Sequence, residues 1–176
     1  MGRLNLYTSV AQKSASLVIR EYSTSFGMAS RVLKADSRRH ISNIYALVRI
    51  ADEIVDGVAA TAGVPAAEIR RMLDELESET ERAMATGYST NLIVHAFART
   101  ARATGITPEL TRPFFASMRA DITEATHTPE SFDAYVYGSA EVVGLMCLPV
   151  FGCRDERART PAVDLGLAMQ LVNILR

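Results

Sequence analysis

The stretch Ile41-Ser-Asn-Ile-Tyr-Ala-Leu-Val-Arg-Ile-Ala-Asp-Glu-Ile-Val-Asp-Gly-Val58 is mostly apolar, with polar side chains placed at regular intervals. Four of them, Tyr45, Arg49, Asp52 and Asp56, follow one another at spacings of four, three and four residues. Because an α-helix turns by about 100° per residue, all four side chains fall within an arc of roughly 60°. The stretch therefore predicts a largely buried helix that carries one polar row.

The aspartates of this row indicate a binding site rather than an ordinary solvated helix surface. An unpaired charge on a mostly buried helix is costly, so Asp52 and Asp56 need a cation, a hydrogen-bond network or a hydrated cavity. They lie one turn apart and can approach one ion; Mg²⁺ suits them because it is held by one or two carboxylates, waters and phosphate oxygens. Arg49 can pair with the aspartates or bind a phosphate, and Tyr45 offers a hydroxyl or an aromatic face. The alternative, an acidic pair on a solvated face, is disfavoured by the apolar surroundings.

The rest of the chain shows the same 3.6-residue periodicity and no alternating strand pattern, which predicts an all-α protein. Three Thr-Pro pairs, at 107–108, 128–129 and 160–161, are typical of helix starts. Three segments are poor in charge and are therefore expected to be central helices of a bundle: 37–57, 129–150 and 161–176. The helices are predicted near 8–20, 22–34, 37–57, 65–86, 89–104, 108–126, 129–150 and 161–176.

Size and charge limit the classes of function. The 176 residues fit one domain with a proper core, and 19 basic against 20 acidic residues give a net charge of -1, which disfavours nucleic-acid binding by bulk charge. Lys13 and Lys34 are the only lysines. The excess of arginine reflects either compositional bias or a need for guanidinium groups that bind phosphate.

The expected compartment is the cytoplasm. Cys147 and Cys153 form no Cys-x-x-Cys pair and are interpreted as free thiols in a reducing environment. No apolar signal core follows the N-terminus, and no stretch reaches the uninterrupted apolar length of a membrane span. His40, His95 and His127 show no metal-ligand spacing, and no Walker loop, dinucleotide fingerprint or nucleophile elbow is present. Peripheral contact with a membrane stays open.

A second polar row lies in the final predicted helix. Gly166, Gln170 and Asn173 repeat the four-then-three spacing within an apolar segment, and their amides can position diphosphate, water or metal without adding charge. The alternative is that these are core amides capping neighbouring backbone groups. The next position on this row is 177, so we expect the sequence to be the N-terminal part of a longer protein.

Small residues form the third feature. Gly138, Ala140 and Gly144 leave room for another helix or a slender apolar ligand, and Pro149 should kink or end this helix. Two weaker candidates are the Ser23-Thr-Ser-Phe26 junction, which could bind an anion or serve as caps, and Asp121, an acid at the edge of an aromatic helix.

Three blocks of the sequence resemble the squalene/phytoene synthases, head-to-head prenyl transferases of the isoprenoid synthase fold. They are Tyr22-Ser-Thr-Ser-Phe26, Asn43-Ile-Tyr-Ala-Leu-Val-Arg-Ile-Ala-Asp-Glu-Ile-Val-Asp56, and the region from Tyr135 through Asn173-Ile-Leu-Arg176. Within that family, the sequence most resembles actinobacterial phytoene synthases. Many relatives carry Ala-Gly-Thr-Val-Gly where this chain has Ala140-Glu-Val-Val-Gly144, so Glu141 is expected to narrow or reshape the chain-binding groove.

The resemblance implies roles for particular residues. Asp52 and Asp56 would form the first aspartate-rich motif, with Asp121 as a further carboxylate on the metal side. The diphosphate and first allylic carbons would be surrounded by Tyr45, Arg49, Ser23 and Phe26, and faced across a cavity by Tyr135, Gln170 and Asn173. The second aspartate-rich motif of the family, which follows Asn-Ile-Leu-Arg, is missing here. The resemblance thus implies an isoprenoid synthase-type bundle without its C-terminal helices.

The activity implied is Mg²⁺-dependent joining of two geranylgeranyl diphosphates to phytoene through a cyclopropyl intermediate, in carotenoid biosynthesis. Mn²⁺ is a substitute metal. One alternative is a squalene or dehydrosqualene synthase acting on farnesyl diphosphate, with NADPH required only for squalene. An alternative of another class is a non-catalytic helical binding or assembly protein derived from this fold. Prenyl diphosphates are the expected partners, with an apolar product that favours contact with a membrane.

Overall fold

The computed structural model of the protein describes residues 2–55, 57–123, 128–153 and 155–174. Within these ranges the chain is helical, with turns and no strand, which confirms the all-α prediction. The α-helices in chain order are α1 (Arg3–Tyr22), α2 (Thr24–Ala29), α3 (Ala35–Val55), α4 (Val58–Thr61), α5 (Ala66–Thr86), α6 (Leu92–Thr104), α7 (Pro108–Thr123), α8 (Pro129–Val136), α9 (Val142–Cys147) and α10 (Arg159–Ile174).

Two of the three predicted helix starts lie where the Thr-Pro pairs place them. Pro108 is the first residue of α7, and Thr128 caps α8 by accepting a hydrogen bond from the backbone of Ser131, whose side chain accepts one in return. The third is wrong, because α10 begins at Arg159 and Thr160 lies inside its first turn. A 3₁₀ turn at Glu156–Ala158 leads directly into α10, so the helix needs no threonine cap.

Other boundaries differ from the predicted ones. The helix predicted at 22–34 is split into α2 and a 3₁₀ turn at Ser30–Val32, and the loop predicted after Gly57 contains the short α4. The helix predicted at 129–150 is interrupted by a π-helical turn at Tyr137–Glu141. It ends in a 3₁₀ turn at Pro149–Phe151, because proline has no N–H to continue the helical hydrogen bonds.

The chain divides into two compact units. Unit 1 comprises Met1–Ile50 and Ser78–Gly105, and unit 2 comprises Ala51–Glu77 and Ile106–Arg176. In unit 1, α1 packs on α6 through fully buried alanines, because residues without larger side chains let helix backbones approach closely. The cluster consists of Ala11, Ala15, Ala46 and Ala96.

A buried histidine joins α6 to the N-terminal helix of unit 1. Nδ1 of His95 accepts a hydrogen bond from the backbone N–H of Ser89 at 3.4 Å, so the ring proton is on Nε2. Nε2 donates this proton to Thr8 Oγ1, 3.0 Å away. Burial, and then the nearby Arg99, lowers the pKa of His95 below its ordinary value. The ring is therefore neutral at pH 7 and serves packing, as the absence of metal-ligand spacing predicted.

Unit 2 depends on glycines at which two backbones meet. A Cβ on Gly138 would lie 2.1 Å from Ser117 Oγ and 2.2 Å from the carbonyl oxygen of Pro113, both on α7. A Cβ on Gly144 would lie 2.9 Å from the carbonyl oxygen of Ala162 on α10. Of the two occupants that the small residues allow, neighbouring helices fill these places.

An arginine ties α5 to α7 within unit 2. The guanidinium of Arg119 donates from Nε to Asp74 Oδ1 at 2.7 Å, and from Nη2 to a carboxylate oxygen of Glu77. Arg119 is largely shielded from water, with 26% of its side chain exposed, so this pairing is less screened than a surface ion pair. It complements the glycine contacts on the other side of α7.

One helical stretch, Ser131–Phe151, is long and apolar enough to cross a membrane by length and composition, with a mean hydropathy of 1.4. The expectation that no stretch reaches this length is wrong by that measure. The stretch also carries Asp133 and Glu141, and its glycines contact α7 and α10. Core helices meet the same test, so the stretch is weak evidence for a membrane span.

Replacing Gly138 by alanine should destabilise the protein by at least about 2 kcal/mol, because the added methyl group overlaps atoms of α7 and forces the helices apart. Gly27→Ala is the matched control, since its Cβ would lie an ordinary 3.6 Å from the nearest heavy atom. Urea unfolding followed by circular dichroism measures both changes. Equal stability of Gly138→Ala and the wild type would contradict this packing.

Candidate active site

The polar row predicted from the sequence lies on α3. Tyr45, Arg49 and Asp52 are each half-buried, and a single regular helix places them on one side. Asp56, the fourth member, lies outside the described residues. The described part of the row is thus a partly solvated surface, on which charged groups can stay ionised while remaining close to protein.

The opposite side of α3 explains this orientation. Asn43, Ile44 and Leu47 are almost completely buried, and helix geometry places them roughly 105° to 165° from the centre of the row. Asn43 Nδ2 donates to the hydroxyl oxygen of Thr100 on α6 at 2.9 Å. With this face bound to the core of unit 1, Tyr45 and Arg49 have to point away from it.

An aromatic ring holds the arginine of the row. Cζ of Arg49 lies over the ring of Tyr22, 4.7 Å from its centroid, and Tyr22 is the last residue of α1. A cation over an aromatic face is attracted by the electron density of the ring, and this attraction does not require a hydrogen bond. Tyr22 belongs to a motif noted in the sequence, but no role was predicted for it, because local sequence patterns do not pair residues 27 positions apart. Its place directly before the Ser-Thr-Ser run was the available signal.

Ser23 follows Tyr22 immediately and is half-buried, with an extended backbone whose N–H donates to the carbonyl oxygen of Ile19 at 3.1 Å. It therefore ends α1 beside the residue that contacts Arg49. The side chain of Phe26 lies outside the described residues, and its predicted place at the diphosphate stays a prediction.

The second predicted row lies on α10 of unit 2. Gln170 is half-buried, and Gly166 permits a close approach, since a Cβ there would lie 3.0 Å from the carbonyl oxygen of Ala140 and from Cα of Glu141. The side chain of Asn173 lies outside the described residues. The facing of Gln170 and Asn173 toward Asp52 and Asp56 across a cavity stays a prediction.

Two further predicted residues belong to unit 2. Tyr135 is half-buried on α8, and its carbonyl oxygen accepts a hydrogen bond from Ser117 Oγ at 3.0 Å, which fixes this turn against α7. Asp121 is half-buried on α7, near the end of that helix. The roles of both in binding substrate or metal stay predictions.

The carboxylates set what kind of metal site this surface can form. Among the described residues, which omit Asp56, no group of three or more His, Cys, Asp or Glu side chains comes together. Asp52 is a half-buried oxygen donor. Such a donor set fits Mg²⁺, which keeps waters and phosphate oxygens in its shell, better than a metal that needs a complete protein cage.

Glu141 stands where the sequence differs from many relatives. Glu141 is half-buried in the π-helical turn. Burial first, and then the charges of Asp133 and Asp164, raise the pKa of Glu141 above its ordinary value. The side chain therefore accepts a proton more readily than a solvated glutamate does. Its expected effect on the chain-binding groove stays a prediction.

Cys147 does not fit the role of a nucleophile. The cysteines are unpaired, as predicted, and burial raises the pKa of Cys147 to about 11. A thiol with such a pKa is protonated at neutral pH and unreactive. Among the described residues, the row on α3 presents a guanidinium and a carboxylate, at Arg49 and Asp52.

Known proteins are similar to this chain along most of its length. The chain is 34% identical over 158 residues to the 15-cis-phytoene synthase of Pantoea ananas, which covers 88% of this chain and 51% of that protein. It is 30% identical over 184 residues to the chloroplastic phytoene synthase 1 of Solanum lycopersicum, covering 99% of this chain and 42% of that protein. The chain thus spans about half the length of these curated relatives.

A solved structure of a dehydrosqualene synthase in complex with ligand shares the fold. It aligns with a TM-score of 0.80 and 24% sequence identity, covering 96% of this chain and 56% of the other. This likeness confirms the isoprenoid synthase-type helical fold predicted from the sequence. The family model for squalene/phytoene synthase matches residues 19–176. The chain belongs to the squalene/phytoene synthase family.

Proposed function

We propose that this protein is a phytoene synthase-type prenyltransferase, which joins two geranylgeranyl diphosphates head to head into a C40 product. The observation that carries the proposal is the half-buried row Tyr45, Arg49 and Asp52, on a chain 30% to 34% identical to phytoene synthases along most of its length. Such a row offers a guanidinium for phosphate oxygens beside a carboxylate for a cation.

In this proposal Arg49 binds oxygens of the substrate diphosphate. The ring of Tyr22 holds the guanidinium from one face, and this contact does not use the in-plane N–H directions along which a guanidinium donates to phosphate oxygens. Fixing the arginine before substrate arrives lowers the entropic cost of binding. Tyr22 is therefore a positioning residue, and Arg49 is the residue that contacts the substrate.

Asp52 would hold Mg²⁺, together with Asp56, whose position lies outside the described residues. Bound Mg²⁺, or Mn²⁺ in its place, neutralises negative charge on the departing diphosphate. Asp52 contributes a half-buried oxygen ligand on the same side of α3 as Arg49, so one helix presents both a metal ligand and a phosphate ligand. Gln170 and Asn173 are proposed to complete this environment from α10.

Departure of the diphosphate leaves an allylic cation, and the double bond of a second prenyl diphosphate supplies the electron pair that forms the new carbon–carbon bond. Loss of a proton closes a cyclopropane; ionisation of its diphosphate, rearrangement and loss of another proton give the C40 hydrocarbon. In this proposal the aromatic face of Tyr45 stabilises positive charge during these steps. This ending needs no reductant, whereas a squalene-type ending needs NADPH.

The proposed location is the cytoplasm, with contact at a membrane surface for release of the apolar product. Prenyl chain length decides between the phytoene-type reaction and the runner-up, in which farnesyl diphosphate is the substrate. The assay below therefore includes both prenyl diphosphates as separate arms.

Asp52→Asn should abolish Mg²⁺-dependent conversion of labelled geranylgeranyl diphosphate and weaken binding of a non-hydrolysable thiolodiphosphate analogue by about tenfold or more, because one metal ligand is lost. Glu53→Gln is the matched control, since this neighbouring carboxyl group lies on the same helix outside the row. Chromatography of labelled products and calorimetric titration of the analogue supply the measurements.

The outcomes separate the candidate functions. A C40 product from the wild type, lost in Asp52→Asn, supports the proposal, and a C30 product formed only from farnesyl diphosphate supports the runner-up. Analogue binding without any product supports a non-catalytic binding protein and contradicts the proposed reaction. If Asp52→Asn and Glu53→Gln bind the analogue with equal affinity, Asp52 does not contribute to the binding site.

Tyr22→Leu should weaken analogue binding severalfold by removing the ring that holds Arg49, whereas Tyr22→Phe, which keeps the ring, should bind like the wild type. The same titration measures both variants, and thermal unfolding checks that both are folded. If Tyr22→Phe loses as much affinity as Tyr22→Leu, the hydroxyl rather than the cation–π contact is what matters.

A further inference from the structure

A basic cleft of about 350 Å³ lies on unit 1, between α1 and the first two turns of α3. Three cationic side chains line it: Lys13 from α1, and Arg38 and Arg39 from α3. Ser9, Gln12 and Ser16 of α1 also line it and add polar side chains. The cleft shares no residue with the row of Tyr45, Arg49 and Asp52.

The cations of the cleft are only partly neutralised. Asp36 lies beside it, 82% exposed, and its Oδ1 is 3.1 Å from Nη2 of Arg39. Lys13 is exposed and has no hydrogen bond or ion pair within the described ranges. Three cations against one neighbouring carboxylate leave two positive charges, which a dianion would balance.

The two arginines differ in how they are held. Nη2 of Arg38 donates to the carbonyl oxygens of Arg31 and Leu33, at 3.1 and 2.9 Å, so this side chain is already fixed at the cleft. Nε of Arg39 is buried from solvent, and no described group accepts its hydrogen. Because the Arg39 side chain is nevertheless 42% exposed, a ligand in the cleft reaches it at atoms other than Nε.

We propose that this cleft binds a ligand through a phosphate group in its dianionic or diphosphate form. The charge of the cleft matches such a group, and guanidinium donors with a lysine ammonium and serine hydroxyls suit phosphate oxygens. The N-terminal end of α3, which begins at Ala35 on the wall of the cleft, adds the positive end of a helix dipole. The phosphate belongs either to a soluble molecule or to a lipid headgroup.

Titration of the 176-residue chain with inorganic pyrophosphate, at low salt and with EDTA present, tests the soluble source. EDTA removes divalent metal, so that metal-dependent binding at Asp52 does not contribute. Lys13→Gln and Arg39→Gln should each weaken binding about tenfold or more, as expected for loss of a charge-assisted hydrogen bond. Arg82→Gln removes an exposed charge from unit 1 outside the cleft and should leave the affinity unchanged.

Vesicles form the second arm of the experiment. Binding to phosphatidate vesicles but not to phosphatidylcholine vesicles, lost in Lys13→Gln and without pyrophosphate binding, would assign the lipid headgroup as the source of the phosphate. Because Lys13 is exposed, its variant should keep the wild-type thermal unfolding curve, so lost binding reports the site rather than the fold.

The proposal is overturned if neither pyrophosphate nor phosphatidate binds, or if Arg82→Gln weakens binding as much as Lys13→Gln does. It is also overturned if pyrophosphate binding survives Lys13→Gln and Arg39→Gln but disappears in Arg49→Gln, which would place the anion at the row on α3. Pyrophosphate binding in the cleft by a wild-type chain that shows no prenyltransferase activity would contradict the proposed function and leave this proposal standing alone.

Discussion

The hydroxyl of Thr100 is the polar contact on which the orientation of α3 depends. It accepts a hydrogen bond from Nδ2 of Asn43 and lies 2.9 Å from Nδ1 of His40, one turn away along the same face. Burial and the adjacent Arg39 lower the pKa of His40, which favours the neutral form of its ring beside Thr100. Because Oδ1 of the buried Asn43 has no described donor, the bond to Thr100 is what compensates for burying this amide.

This contact connects packing to chemistry through the geometry of one helix. Rotating α3 about its axis would break both bonds to Thr100 and expose the apolar side chains beside them. The packed orientation places Tyr45, Arg49 and Asp52 on the other side, and Arg49 meets the ring of Tyr22 there. A core hydrogen bond thus determines where Arg49, the proposed diphosphate ligand, can lie.

Much of this organisation could be predicted from the sequence. The apolar spacing around the row places α3 within two residues of its observed bounds at each end, because a helix that buries one face must repeat with its own period. The small residues at Gly138 and Gly144 likewise predicted close approach. What local sequence could not decide was that helices, not a ligand, fill these places, since that depends on α7 and α10 packing there.

Features that depend on distant residues were missed. The π-helical turn at Tyr137–Glu141 has no local signal, because it follows from fitting Gly138 against α7. The contact of Tyr22 with Arg49 joins two helices, and the basic cleft gathers Lys13 with Arg38 and Arg39 from segments that look unremarkable alone. The surplus of arginine was a signal for phosphate binding, but composition does not say where arginines meet.

The central claim is that the row on α3 binds metal and diphosphate together. Crystals of the chain grown with Mn²⁺ and a non-hydrolysable prenyl thiolodiphosphate would test it by anomalous scattering at the manganese edge. The account predicts a manganese peak at coordination distance, roughly 2–2.5 Å, from the Asp52 carboxylate, with the diphosphate contacting Arg49. Manganese bound only away from Asp52, or an ordered diphosphate that avoids Arg49, would contradict it.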